Sequence, residues 1–82
     1  MYDVVLSKSA QKDLLRLPPD QQDRIIGVLE RASVSPRQYV KRLSGSDAYR
    51  LRAWKLRIIL DINGKAKRIE VLRTGNRETV YA

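Results

Sequence analysis

The run Tyr49–Ile62, YRLRAWKLRIILDI, limits what this chain can fold into more than any other stretch. Tyr49, Leu51 and Ala53 point one way, and Arg50, Arg52 and Trp54 the other. After Lys55 the pattern resumes, with Leu56, Ile58, Leu60 and Ile62 on one side and Arg57 and Asp61 opposite. A period of two is the period of a strand, because successive side chains leave a pleated backbone on alternate faces. Two such strands with a short connection predict an antiparallel hairpin. Arg50, Arg52 and Arg57 then gather on one face of a small sheet, and that cationic face has to be explained.

Length and charge narrow the explanation. With 82 residues the chain has room for one domain, residues 1–82. A domain of this size buries only about 60–65% of the surface its unfolded chain exposes, so its stability margin is thin. The 43% hydrophobic content is that of a globular protein. Lys and Arg number 17 against 9 acidic residues, a net charge of +8. Such an excess favours a polyanionic partner, nucleic acid or an acidic protein. A membrane surface fits less well, since no helix combines a basic face with a wide apolar one. The chain has neither cysteine nor histidine. That excludes disulfides, Cys/His zinc sites and every nucleophile–histidine pair. The opening MYDVVLSKSAQ lacks a basic segment followed by a long apolar one, and no apolar run approaches the ~20 residues that span a bilayer. The cytoplasm is the expected location.

In chain order, Tyr2–Leu6 reads as a short strand rich in β-branched residues. Ser7 or Ser9 can cap a helix over Lys8–Leu17, whose Ala10, Leu14 and Leu17 repeat at i, i+4 and i+7. Pro18-Pro19 stops it. Asp20 then caps a second helix to about Ala32, with an apolar stripe of Ile25, Val28, Leu29 and Ala32 interrupted by Gly27. The short link predicts a tight helical hairpin. Residues 33–39 read as a loop around Pro36, and Val40–Leu43 leads to the turn Ser44–Asp47. Beyond the Tyr49–Ile62 hairpin, Asn63-Gly64 signals a two-residue turn. A last strand, Ala66–Arg73, follows before Thr74-Gly75-Asn76 breaks it. The fold class is α+β: an N-terminal strand and a helical hairpin packed on a mainly antiparallel sheet of about four strands.

Arg50, Arg52, Arg57, Arg73 and Arg77 are the candidate phosphate-binding set, since guanidinium groups offer bidentate geometry and stay charged. Strand spacing sets Arg50 and Arg52 about 7 Å apart on one side, close to the spacing of successive phosphates. The plain alternative is a solvated strand face. Tyr81 is the side chain beside that set able to exchange a proton, and nearby cations favour its phenolate; equally, it can cover a sheet edge. Trp54 can stack a base or shield the hairpin turn. Asp47, Asp61, Glu70 and Glu78 form no close carboxylate cluster, which speaks against a two-metal nuclease and calls for no cofactor. Lys41-Arg42 and Lys65-Lys67-Arg68 read as solvated charge or backbone contacts.

Taken together, the opening strand, the LPP break between helices, LSGSDAYRLR, KLRIILDI and the closing GNRETVY resemble the RelE family of toxins, from bacterial and archaeal toxin–antitoxin pairs. The resemblance covers nearly the whole chain and implies a RelE-like fold. It also implies a metal-independent endoribonuclease that cuts messenger RNA in the ribosome, held inactive by a RelB-like, acidic, partly disordered antitoxin. By the family pattern, Arg57 and Arg77 stabilise the phosphorane and Tyr81 assists proton transfer at the 2′-hydroxyl. Arg50 and Arg52 stand where relatives can carry lysines. An arginine there binds phosphate but exchanges protons poorly, with a pKa above about 12. Two alternatives stay open: a ParE-type toxin that poisons DNA gyrase, which shares the fold, and a non-catalytic RNA-binding module.

Overall fold

The computed structural model describes residues 1–43, 45 and 47–76. Its first strand, β1 (Asp3–Leu6), leads through Ser7 into helix α1 (Lys8–Leu15). Ser7 is the N-cap: its Oγ accepts the Ala10 N–H at 3.0 Å, satisfying one of the donors that a helix start leaves unpaired. Arg16, Leu17 and Pro18 connect to α2 (Pro19–Val34). Asp20 does not cap this helix. Pro19 takes its first position, where a missing N–H costs nothing, and Asp20 lies in the first turn where the helix dipole favours an anion.

A single 3-10 turn (Pro36–Gln38) then brings the chain to β2 (Val40–Arg42), β3 (Tyr49–Ala53), β4 (Leu56–Asn63) and β5 (Arg68–Gly75). The sheet has five strands in the order β1-β5-β4-β3-β2. β1 runs parallel to β5 and the remaining neighbours are antiparallel. The fifth strand is VKR of β2, too short to announce itself in the sequence yet paired residue for residue with Leu51, Arg50 and Tyr49.

Both helices lie on one face. α1 packs on β5 and β1, and α2 on β3 and β1. The three-residue link between them makes the helices a hairpin that lies on the strands. The core is the set the periodicities select: Ala10, Ile25, Leu29 and Ala32 from the helices, against Leu51, Ala53, Leu56, Ile58, Leu60, Ile69 and Val71. Burying a side chain of the larger kinds contributes about 1.5–3 kcal/mol.

Two local expectations change. Asn63-Gly64 does not make a two-residue turn: Asn63 pairs with Arg68, and the wider connection carries its positive φ (51°) at Lys67. Asn63 Oδ1 accepts the Ala66 N–H at 3.0 Å, so the asparagine folds the turn through its side chain instead. The last strand also runs past Arg73 to Gly75, with an irregularity in register where Ile59 faces Arg73 and Leu60 faces Val71. Leu72 is the extra residue. Without it, alternation would turn Arg73 inward beside Ile69 and Val71; the bulge instead turns Arg73 outward and buries Thr74.

β5 outruns β1, and α1 covers the edge left over. The Ser7 N–H donates to the Val71 carbonyl at 2.9 Å and the Ser7 hydroxyl to the Leu72 carbonyl at 2.9 Å. Further along, Asp13 Oδ2 accepts the Thr74 N–H at 3.2 Å and the Arg73 Nε–H at 2.7 Å, while Oδ1 accepts from Arg73 Nη2 at 3.2 Å. The Asp13 side chain is 3% exposed and that of Arg73 40%. Burial alone pushes the Asp13 pKa up; the Arg73 hydrogen bond, the Thr74 N–H and the charges of Arg73 and Arg16 outweigh it and hold the carboxyl below its ordinary value. The same hydrogen bond and charge raise the Arg73 pKa.

A carboxyl whose pKa is lowered by folding adds stability above its unfolded pKa of about 3.9, and that stability is lost as pH falls through the lower folded value. Denaturant midpoints measured from pH 7 down to pH 2 should therefore fall in the native chain, and fall less in Asp13→Asn. At pH 7, Asp13→Ala should cost about 2–3 kcal/mol, since it leaves a buried N–H and a cation unpaired. Gly27→Ala should act the other way. A Cβ there meets nothing within 4 Å, so the substitution should raise stability by about 0.5–1 kcal/mol in the same titration.

Candidate functional site

The face of the sheet away from the helices carries the charge. β3 presents Arg50 and Arg52 outward, and the register sets Arg50 opposite both Lys41 of β2 and Ile59 of β4. Arg52 stands directly opposite Arg57. Arg57 in turn faces Gly75, whose φ of 141° is one that only glycine adopts readily and which adds no side chain beside the guanidinium. Like charges placed directly across a strand pair destabilise the sheet, so this arrangement is not one that folding alone selects.

Three ion pairs form among the described residues: Arg42 with Asp47 at 2.9 Å, Arg68 with Glu70 at 3.9 Å, and Arg73 with Asp13 at 2.7 Å. None involves Lys41, Arg50, Arg52 or Arg57. The acids that the register places on the outer face, Asp3 opposite Arg68 and Asp61 opposite Glu70, lie toward the opposite end. Among the described residues one end of the face is therefore cationic. Lys41, Arg50 and Arg52, together with the exposed Tyr39, line a hollow of about 270 Å³ there.

Of the sequence-predicted residues, Arg50, Arg52 and Arg57 are brought together. Arg73 shares their face across Ile59, but its guanidinium is engaged by Asp13, which gives it a structural task. Trp54 leaves the group. Alternation aims it with Arg50 and Arg52, yet it is the first of two residues in the β3–β4 turn and has φ 60°, which breaks the strand pattern. Its ring lies 4.7 Å from the Arg24 guanidinium and 4.7 Å from Lys55 Nζ, a cation–π arrangement on the α2 side. It lines a larger groove of about 520 Å³ with Arg24, Gly27, Val28 and Arg31. Arg77 and Tyr81 lie outside the described residues.

Tyr39 is a lining residue that the sequence reading passed over, and Lys41 is one that it took as solvated charge or a backbone contact. The signal for Lys41 is present in retrospect: VKR alternates just as YRL does, and pairing the two strands sets Lys41 beside Arg50. Tyr39 carries no such signal, since it sits in the turn between the 3-10 segment and β2.

A helix pair thus lies on one face of a five-stranded sheet, with a basic patch on the other. The family model described as "ParE toxin of type II toxin-antitoxin system, parDE" matches residues 4–81. The chain belongs to that family, a branch of the RelE/ParE superfamily. Solved structures agree on the fold. The RelBE2 toxin–antitoxin complex of Mycobacterium tuberculosis has a chain 23% identical, matched over 93% of this chain and 98% of that one with a TM-score of 0.85. The archaeal RelE–RelB complex of Pyrococcus horikoshii OT3 has one 29% identical, over 93% and 94%, at 0.77. The isolated E. coli RelE toxin is 23% identical over 99% and 92%, at 0.78. No curated protein matches the chain closely enough to count as a relative. Among the described residues no helix is long and apolar enough to cross a membrane.

Opposed like charges and a structural ion pair make contrasting predictions for neighbouring arginines. Arg52→Ala should leave the denaturant midpoint unchanged or slightly higher, because it removes repulsion. Arg73→Ala should lower it, because it strands the Asp13 carboxylate. A midpoint that falls equally in both variants would mean that the cationic face is part of the folding scaffold.

Proposed function

We propose that this chain is the toxin of a type II pair and acts as a ribosome-dependent endoribonuclease on messenger RNA, neutralised by a RelB-like antitoxin. The observation that carries the reading is the set of unpaired cations Lys41, Arg50, Arg52 and Arg57 on one sheet face. The acids that form ion pairs among the described residues, Asp13, Asp47 and Glu70, pair with other cations. A polyanion relieves the repulsion that remains.

In the proposed reaction the 2′-hydroxyl oxygen attacks the adjacent phosphorus and the bond to the 5′-oxygen breaks, the leaving oxygen taking a proton from solvent. The products are a 2′,3′-cyclic phosphate and a 5′-hydroxyl. Charge grows on the phosphorane oxygens, where Arg57, facing the bare backbone of Gly75, and Arg77 stabilise it. Tyr81 takes the proton of the 2′-hydroxyl. Arg52 and Arg50 hold phosphate. The second reading is a ParE-type toxin that acts on DNA gyrase, and the family model is what favours it.

Wild type, Arg57→Ala, Arg77→Ala and Tyr81→Phe should be compared in a translation reaction with a defined messenger RNA. Cuts would be mapped by primer extension, with and without ribosomes. The expected outcome is cleavage in the decoding site that requires ribosomes and drops at least about tenfold in each variant, the range for loss of one electrostatic or proton-transfer group. Intact RNA together with inhibited gyrase supercoiling would establish the second reading instead.

A further inference from the structure

The hollow at the cationic end is lined by Tyr39, Lys41, Arg50 and Arg52, with no acid among them. Lys41 and Arg50 are cross-strand neighbours, as are Arg52 and Arg57. The face thus holds two cation pairs one after the other, and strand geometry separates Arg50 from Arg52 by about 7 Å. That is close to the distance between consecutive phosphates of an extended single strand. Tyr39 is 47% exposed at the rim of the first pair. Its N–H donates to the Pro36 carbonyl at 3.1 Å, but among the described residues no hydrogen bond or ring contact engages its side chain, whereas Tyr49 nearby receives Arg37 at its hydroxyl (3.3 Å) and over its ring (5.8 Å). An aromatic face left open beside two unpaired cations is the combination that holds one nucleotide of a single strand: the ring stacks on the base and the cations take the phosphate.

We infer that Tyr39, Lys41 and Arg50 form a nucleotide subsite next to the Arg52–Arg57 pair, gripping the phosphate adjacent to the scissile one and stacking its base on Tyr39. The inference rests on the RNA reading above and adds to it a place where base identity is felt. Stacking has no hydrogen-bond code, but purines stack more strongly than pyrimidines, so the subsite favours adenine over uracil.

The test uses the full chain and labelled single-stranded tetranucleotides, oligo-A and oligo-U, with 2′-O-methyl groups that block cleavage. Binding is followed by fluorescence anisotropy at fixed salt for wild type, Tyr39→Leu and Lys41→Ala. Tyr39 and Lys41 are exposed, so folding should persist, and unchanged denaturant midpoints confirm it. Wild type should prefer oligo-A several-fold. Tyr39→Leu should weaken oligo-A binding about tenfold, the usual loss of one stacked base, and erase the preference. Lys41→Ala should weaken both oligonucleotides alike and flatten the salt dependence. In ribosome-dependent cleavage, Tyr39→Leu should raise KM while kcat stays near the wild-type value.

Equal binding of both oligonucleotides by wild type and Tyr39→Leu overturns the subsite, as does an acidic peptide such as oligo-Glu bound as tightly as RNA. If wild type cleaves RNA yet the variants bind like wild type, the nuclease reading stands and the subsite falls. If no RNA is cleaved but the Tyr39-dependent preference appears, the subsite stands and the nuclease reading falls.

Discussion

The outer edge of β5 is where this fold is most exposed to failure. β1 pairs only with Arg68–Val71, and a bare edge beyond it would offer unpaired amide groups to any other strand. α1 closes that edge without being a strand. Its cap, Ser7, bonds the Val71 and Leu72 carbonyls, and Asp13, two turns on, takes the Thr74 N–H and the Arg73 guanidinium. One carboxylate thus completes a sheet edge, fixes the helix against it, and holds the bulged end of β5 in place. Buried ion pairs seldom add stability over an apolar substitute, but no apolar side chain could accept that amide. The interaction is retained for what it specifies.

The bulge at Leu72 ties this edge to the charged face. It turns Arg73 outward, sets Thr74 in the core and lets β5 continue to Gly75, which lies beside Arg57. Shortening the strand at Arg73, as the sequence pattern suggests, would remove the backbone flanking Arg57. Geometry at the candidate site is therefore set by the same few residues that close the edge.

Much of this was legible. Periods of two and of 3.6 placed both helices, the central strands and all but a few core residues, because burial on one face leaves a repeating imprint. What the sequence hid were features whose cause is tertiary. β2 alternates over only three residues, too few to be read as a strand without its partner. Arg73 follows the core period of Ile69 and Val71, and only the bulge reverses it. Trp54 follows the strand period, but a turn residue with positive φ no longer obeys alternation. Asp13 was visible in one respect: it lies three residues after Ala10 and four before Leu17, on the buried stripe of α1, where an unpaired acid is not tolerated. A charge on a core stripe implies a partner, even when the sequence does not name it.

The distribution of acids gives the charged face its meaning. Among the described residues three cations form ion pairs with carboxylates: Arg73 with Asp13, Arg42 with Asp47 and Arg68 with Glu70. Lys41, Arg50, Arg52 and Arg57 stand side by side without one, two of them directly opposed. An 82-residue chain has little stability in reserve, and repulsion across a strand pair draws on it. Strain of this kind persists when something outside the chain rewards it. The helical face holds the sheet rigid from behind and the Asp13 staple secures its edge, so the opposite face can stay charged, open and ready for an anion.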